Sequence, residues 1–429
     1  MHLLAEHVDV RRMCQRLFRT DAMSFMSNVM PYLRRHSGDA TVLVQKILWA
    51  ICAELRAMGQ ATESSASQLE RTALALLGHA RVMYDSSEIP QPYRPAAGAA
   101  GDAATALHDV RFVAPFLSLI SAEELRRTYL RSLLHFVQLQ LQFQLQLQQQ
   151  QQQFGAATGT SAGAEVSRMN SEELEAFIRD VVREVLVRSS VPFSDGVARG
   201  LSRTDLLVYL HRASHESRAA DSQTAAGKHS MSSSSTGRGE SRGILGAASS
   251  SAADVEGAAG ARHAAEDLPI SPLTTKTVIA VLLKLTRTFD ATTTEFLYGP
   301  EEIKSAVRQL MQHIGGSGSG VSAVPSQLMV TLILACKLHA QRPHADLVRF
   351  VHQAVLLPLA KDATWEKDMN LWRGVLLFAE EHYRECSSFL VNLPEKVLIQ
   401  ALRSQSQLRE YFREEHGNNA AFGHILGSL

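Results

Sequence analysis

Cysteine is scarce and scattered. The chain holds four, Cys14, Cys52, Cys336 and Cys386, with no CxxC spacing among them. That spacing argues against a disulfide framework or a zinc knot and points to a reducing compartment. Long apolar runs are also missing, and nothing approaches the ~20 residues that a membrane span needs. The N-terminal region carries Glu6, Asp9, Arg11, Arg12, Arg16 and Arg19, which leaves no apolar segment of a secretory leader. A soluble intracellular protein without a membrane partner is predicted.

An excess of either charge is lacking too. Lys+Arg and Asp+Glu are each 43, so the formal net charge is zero over 429 residues. Direct nucleic-acid binding normally shows as basic residues clustered on one face. The doublets Arg11-Arg12, Arg34-Arg35 and Arg126-Arg127 read instead as solvated helix edges.

Signatures of chemistry are equally sparse. The glycine-rich GGSGSG from Gly315 to Gly320 is followed by no Lys-Ser or Lys-Thr and preceded by no strand, so it reads as a linker and not a phosphate loop. Cys336, His339 and His344 are close in sequence, but a zinc site needs a fourth ligand and Pro343 interrupts them. Glu380-Glu381-His382 and Glu414-Glu415-His416 lack the paired histidines of a helical metalloprotease and read as acidic helix ends. No nucleophile-elbow motif is present. The expectation is a protein that is not an enzyme and uses no metal or cofactor.

What is present is helical periodicity. Met13, Leu17, Met23, Met26 and Met30 recur near helical spacing, and Leu43, Ile47, Ile51 and Leu55 recur at every fourth position. Leu69 to Met83 repeats the pattern through Ala73, Leu76, Leu77 and Ala80. Such stripes bury one helix face, and the methionines are read as core filler. Ser121 to Glu124 and Asn170 to Glu173 have capping-box spacing, with the carboxylate three residues on reaching back to the cap amide. Gln138 to Gln153 alternates Gln with Leu before becoming pure Gln, and is read as an extension of the preceding helix that frays near Gln150. The tract from Ser214 to Asp267 is mostly Ser, Ala, Gly and His and offers too little to bury, so disorder is expected.

Further helices are predicted at about Thr275–Thr288, Pro300–Ile314, Pro325–Ala340, His344–Leu359, Leu371–Glu381, Cys386–Leu390, Pro394–Leu402 and Gln405–Glu415. Pro300 suits a first helical position, with Glu301 and Glu302 in the first turn. Leu347, Phe350, Val351, Ala354 and Val355 form one apolar stripe. No segment needs to be a strand. The fold class is all-α, and successive helix pairs of about forty residues suit a HEAT-like solenoid interrupted by low-complexity insertions. Composition divides the chain into a helical block (1–84), a linker (85–110), a helical repeat ending in the glutamine tract (111–148), a flexible linker (149–168), a helical segment (169–213), the disordered insertion (214–267), a regular helical domain (268–416) and a flexible tail (417–429).

The stretch from Trp365 to His416 carries a resemblance. Leu371-Trp372-Arg373-Gly374, Ser388-Phe389, Leu393-Pro394 and Leu408-Arg409-Glu410 follow in an order and spacing similar to the C-terminal domain of the symplekin family. Upstream, Val307, Gln309, Leu310 and Met311 resemble a further helix of that domain, as does the run Leu206 to His211. Arg111 to Leu117, with Ser121 to Leu134, is similar to a repeat just before it. The resemblance covers about Phe112 to His416, while Met1 to Tyr84 does not match the family's N-terminal domain, which binds a phosphatase of the polymerase tail. It makes 169–213 and 268–416 parts of a symplekin-like domain. It implies a nuclear, non-catalytic scaffold of pre-mRNA 3′-end cleavage and polyadenylation. Such a scaffold would hold the metallo-β-lactamase endonuclease subunit of the cleavage and polyadenylation specificity factor and its inactive paralogue, and would meet RNA only indirectly. The residues singled out for partner contact are Trp365, Trp372, Arg373, Phe389, Leu408, Arg409 and Glu410. An adaptor of a transport or translation complex is the alternative.

Overall fold

The computed structural model describes residues 2–35, 41–61, 66–89, 107–154, 169–186, 197–213, 270–288, 294–312, 324–339 and 344–429. The glycine linker, the Ser214–Asp267 tract and most of the 85–110 linker lie outside the described residues. The described residues are predominantly helical, as an all-α chain, and they divide into two compact units. One is built on Met1–Met169 with Ser189–Arg199, the other on Asn170–Arg188, Gly200–His215 and Ser271–Leu429.

In the first unit, α1 (His2–Thr20) stops where Asp21 accepts a hydrogen bond from the Ser24 amide at 3.0 Å. A π turn over Phe25–Val29 then leads into α2 (Met30–Arg35). α1 lies against α3 (Thr41–Ala61), and α3 against α4 (Ala66–Ser86). The Arg19 guanidinium grips the Glu54 carboxylate with contacts of 2.7 to 2.9 Å. The methionine stripe needs correction. Met13, Leu17 and Met23 are exposed, whereas Cys14, Phe18 and Phe25 turn inward, because α1 packs on α3 through the face that carries Cys14 and Phe18, and the break at Asp21 shifts the face beyond it. Met26 and Met30 are buried as predicted, and so are Ile47, Ile51, Leu55, Leu69, Ala73, Leu76, Leu77 and Ala80.

Two 3-10 turns, Val110–Phe112 and Ala114–Leu119, plug this unit against α3 and α4. They bring a buried ion pair, Arg111 to Asp109 at 2.7 Å, with the guanidinium also 5.1 Å from the Phe136 ring centroid. α5 (Leu130–Phe154) carries the Gln/Leu run in helical form past Gln150. The Ser121 cap is made, since its Oγ accepts from the Glu124 amide at 3.3 Å. Its reciprocal half is not: the Glu124 carboxylate is taken by Arg81 at 2.7 Å, an ion pair outcompeting a return to the helix's own backbone.

In the second unit, α6 (Ser171–Leu186) starts with the full capping box. The Glu173 amide donates to Asn170 Oδ1 at 2.8 Å and the Asn170 amide donates to Glu173 Oε2 at 2.9 Å. A helical run over 203–213 follows and is called α7. Then come α8 (Pro272–Lys284), α9 (Pro300–Met311), α10 (Leu328–Leu338), α11 (His344–Val351), α12 (Met369–Glu381), α13 (Tyr383–Val391), α14 (Glu395–Ser404), α15 (Ser406–His416) and α16 (Gly423–Gly427). Pro300 is the first residue of α9, as predicted. The predicted apolar stripe of α11 is split by a π turn over His352–Leu356: Leu347, Val351 and Val355 are buried, while Phe350 and Ala354 are half-buried.

The expectation of no strands also fails. Two short antiparallel ladders exist, β1 (Glu88–Ile89) with β2 (Leu107–His108) and β3 (Thr286–Thr288) with β4 (Thr294–Phe296). The second shortens the helix predicted to reach Thr288. β-branched Thr288 and Thr294 pair across the ladder, Thr286 faces Phe296, and the Leu297 amide donates to Leu285 O at 2.7 Å. The stretch read as a flexible tail packs down: Phe422 meets Phe412 edge-on at 5.3 Å, Ile425 is buried, and Arg403 donates to Ser428 O at 2.6 Å.

Helices of the second unit alternate between two rows. α6 packs on α8, α8 on α10, and α10 on α12. α9 packs on α11 and α11 on α13, while Arg203 of α7 pairs with Glu302 of α9 at 2.7 Å.

Candidate interaction surface

The predicted contact residues fall into two groups. Trp372 sits 4% exposed, and Phe389 and Leu408 are fully buried. They form an interior seam in which Trp372 lies 6.1 Å from Phe389. Trp365 stays half-exposed and stands edge-on to Trp372 at 5.5 Å. It rides on a short helix, Thr364–Lys367, entered through Ala363 in the left-handed region at φ 51° and pinned by Thr364 Oγ1 donating to Leu359 O at 2.8 Å. Arg373 and Glu410 are exposed and Arg409 is half-buried. The seven residues are therefore not one patch: three specify packing, and the others supply separate pieces of surface.

Packing also fixes Gly374. A Cβ there would stand 2.7 Å from Met329 Cβ, so the backbone of α12 approaches α10 with only the Met329 side chain against it. Eight residues further along α10 the Lys337 ammonium reaches Glu381 of α12 at 3.3 Å. The two helices thus run side by side in the same direction. Thr275 of α8 donates to Gln327 Oε1 at 2.8 Å, and Gln327 Nε2 donates to Pro272 O, which ties the start of α8 to the start of α10.

α10 contacts both α8 and α12, and each of the three helices keeps side chains exposed. α8 shows Leu273, Lys276 and Lys284, α10 shows Val330 and Lys337, and α12 shows Arg373, Leu377 and Glu381. Within each helix these positions fall on one stripe of the 3.6-residue period. The only carboxylates on the stripes are Glu380, half-buried, and Glu381, held by Lys337. Lys276, Lys284 and Arg373 make no ion pair among the described residues. Sequence reasoning singled out Arg373 alone of these, because the outward side of α8 and α10 depends on which neighbours cover the rest.

The Glu/His endings have structural partners. The His382 ring packs on Phe378 at 4.7 Å, and the His416 ring lies between Phe412 at 4.6 Å and Phe422 at 5.0 Å. Burial and the nearby Glu415 carboxylate push the Tyr383 phenol well above its usual range. Burial also drives the Cys336 and Cys386 thiols up to about 12. His339 Nε2 lies 3.0 Å from Tyr298 O, which engages one of the side chains weighed for zinc. Among the described residues no three His, Cys, Asp or Glu side chains are grouped to hold a metal ion, and no helix is long and apolar enough to cross a membrane.

No family model, curated protein or solved structure matches this chain.

Proposed function

We propose that this chain is a non-catalytic scaffold built on a HEAT-like helical solenoid. The observation that carries the reading is the alternation in the second unit, where α6, α8, α10 and α12 neighbour one another in sequence of pairs and α9, α11 and α13 do the same. Stacked pairs of this kind bury a continuous core between rows and leave long helix faces for partners. The narrower assignment rests on the ordered landmarks from Trp372 to Glu410. It makes the chain a symplekin-like component of nuclear pre-mRNA 3′-end cleavage and polyadenylation, holding the endonuclease subunit and its inactive paralogue and meeting RNA through them.

A second reading has an observation of its own. Trp372, Phe389 and Leu408 are interior, so these landmarks describe how helices pack and not which protein docks. That favours a helical adaptor of another complex, in transport or translation. Affinity purification of the full chain followed by mass spectrometry separates the two. Recovery of the endonuclease pair supports the first assignment, a cytoplasmic partner set supports the second, and an isolated catalytically active chain overturns both.

A further inference from the structure

The outward face of α8, α10 and α12 carries more than the solenoid needs. Leu273 in the first turn of α8, Val330 in the first turn of α10 and Leu377 in α12 remain 47%, 38% and 42% exposed. Single exposed aliphatics are ordinary, but here one comes from each adjacent helix. Lys276, Lys284 and Arg373 on the same helices have no acidic partner among the described residues, in a chain whose formal charge is zero. Free cations beside a line of aliphatics are complementary to one kind of ligand. A nucleic-acid backbone would answer the cations but offers nothing to the leucines and valine. A purely apolar segment would leave the cations facing it.

We propose that this face docks an acidic amphipathic segment of a partner protein. Its aliphatic or aromatic side chains lie on Leu273, Val330 and Leu377, and its carboxylates meet Lys276, Lys284 and Arg373. Neighbouring helix axes are ~9 Å apart, so the three stripes span about 20 Å, which a helix of ~13 residues crosses. Such a segment would bind as a helix laid across a groove, with anchors at three- and four-residue spacing. The exposed cations steer the encounter and give it salt dependence. The proposal stands on this face alone, whether or not the 3′-end processing assignment holds.

The test pans a phage-displayed library of random peptides, ~16 residues long, against the full chain. Enriched peptides are expected to carry excess Asp and Glu with Leu, Ile or Phe at three- and four-residue spacing. The affinity of a synthetic copy of the best one should fall by about tenfold or more for the triple variant K276E/K284E/R373E. Leu377→Ser should weaken it as well, and Arg384→Glu, exposed on α13 in the other row, should not. These positions are exposed, so each variant should keep the native circular dichroism and melting curve. Enrichment without an acidic bias overturns the proposal, as does unchanged affinity of the triple variant. Tighter binding of a labelled oligouridylate, lost in the same variant, would assign the face to nucleic acid and overturn it too.

Discussion

Gly374 and Met329 meet so closely that a single added carbon at Gly374 would stand 2.7 Å from Met329 Cβ. The obstructing atom is the first of the side chain, which cannot swing away. Gly374→Ala therefore gains about 1 kcal/mol of helix propensity and loses more to overpacking, for which ~1–3 kcal/mol is typical. A net loss is expected, and Gly374→Val should be worse. Urea unfolding followed by Trp365 and Trp372 fluorescence, in a Trp49→Phe background, should show the midpoint fall in that order.

His211 of α7 is fully buried and neither ring nitrogen has a hydrogen-bond partner among the described residues. Burial disfavours its charged form and pushes its pKa down to about 4 from the ordinary 6.5. Between these values the unfolded chain binds a proton that the folded chain refuses, so stability is complete above that window and falls as pH drops through it. The loss amounts to up to about 3 kcal/mol. His211→Leu should flatten this part of the pH dependence, read as the difference in urea midpoint between pH 7 and pH 5. An equal drop in the variant would assign the effect to other groups.

Asp109 and Arg111 form an ion pair in which both side chains are nearly inaccessible, at 6% and 7% exposure. Removing one partner strands the other. Arg111→Met is expected to cost about 3–5 kcal/mol, and Asp109→Asn with Arg111→Met less than the sum of the two single changes. A double-mutant cycle on chemical denaturation measures the coupling, and additivity would argue that the pair contributes nothing specific.

Cys336 and Cys386 are both fully buried, with thiols pushed up to about 12. Since the thiolate is the reactive form, iodoacetamide at neutral pH should spare both in the native chain and label both in urea. Peptide mapping by mass spectrometry reads the difference. Rapid native labelling of Cys336 would show that α10 opens readily.

Local signals were legible wherever the physics is local. The Asn170–Glu173 capping box, the proline start of α9 and the stripe of α4 act within a turn or two, and they appear as predicted. The methionine stripe of α1 was misread because the inward face depends on α3. The second half of the Ser121 box was lost because Arg81, forty-three positions earlier, captures Glu124. The docking face was mostly invisible for the same reason. Lys276, Val330 and Leu377 are ordinary residues in amphipathic helices, and only packing places them side by side.

The sequence by itself determined that this chain is helical, where many of its helices begin, and that its charge is balanced overall. Those properties follow from propensity, capping and composition, which act along the chain. Tertiary structure decided that Trp372, Phe389 and Leu408 are core, that β3 and β4 interrupt the helices, and that Lys276, Lys284 and Arg373 stay exposed with no ion pair among the described residues. Those outcomes depend on which distant segments exclude water from a surface, and no local pattern carries that information.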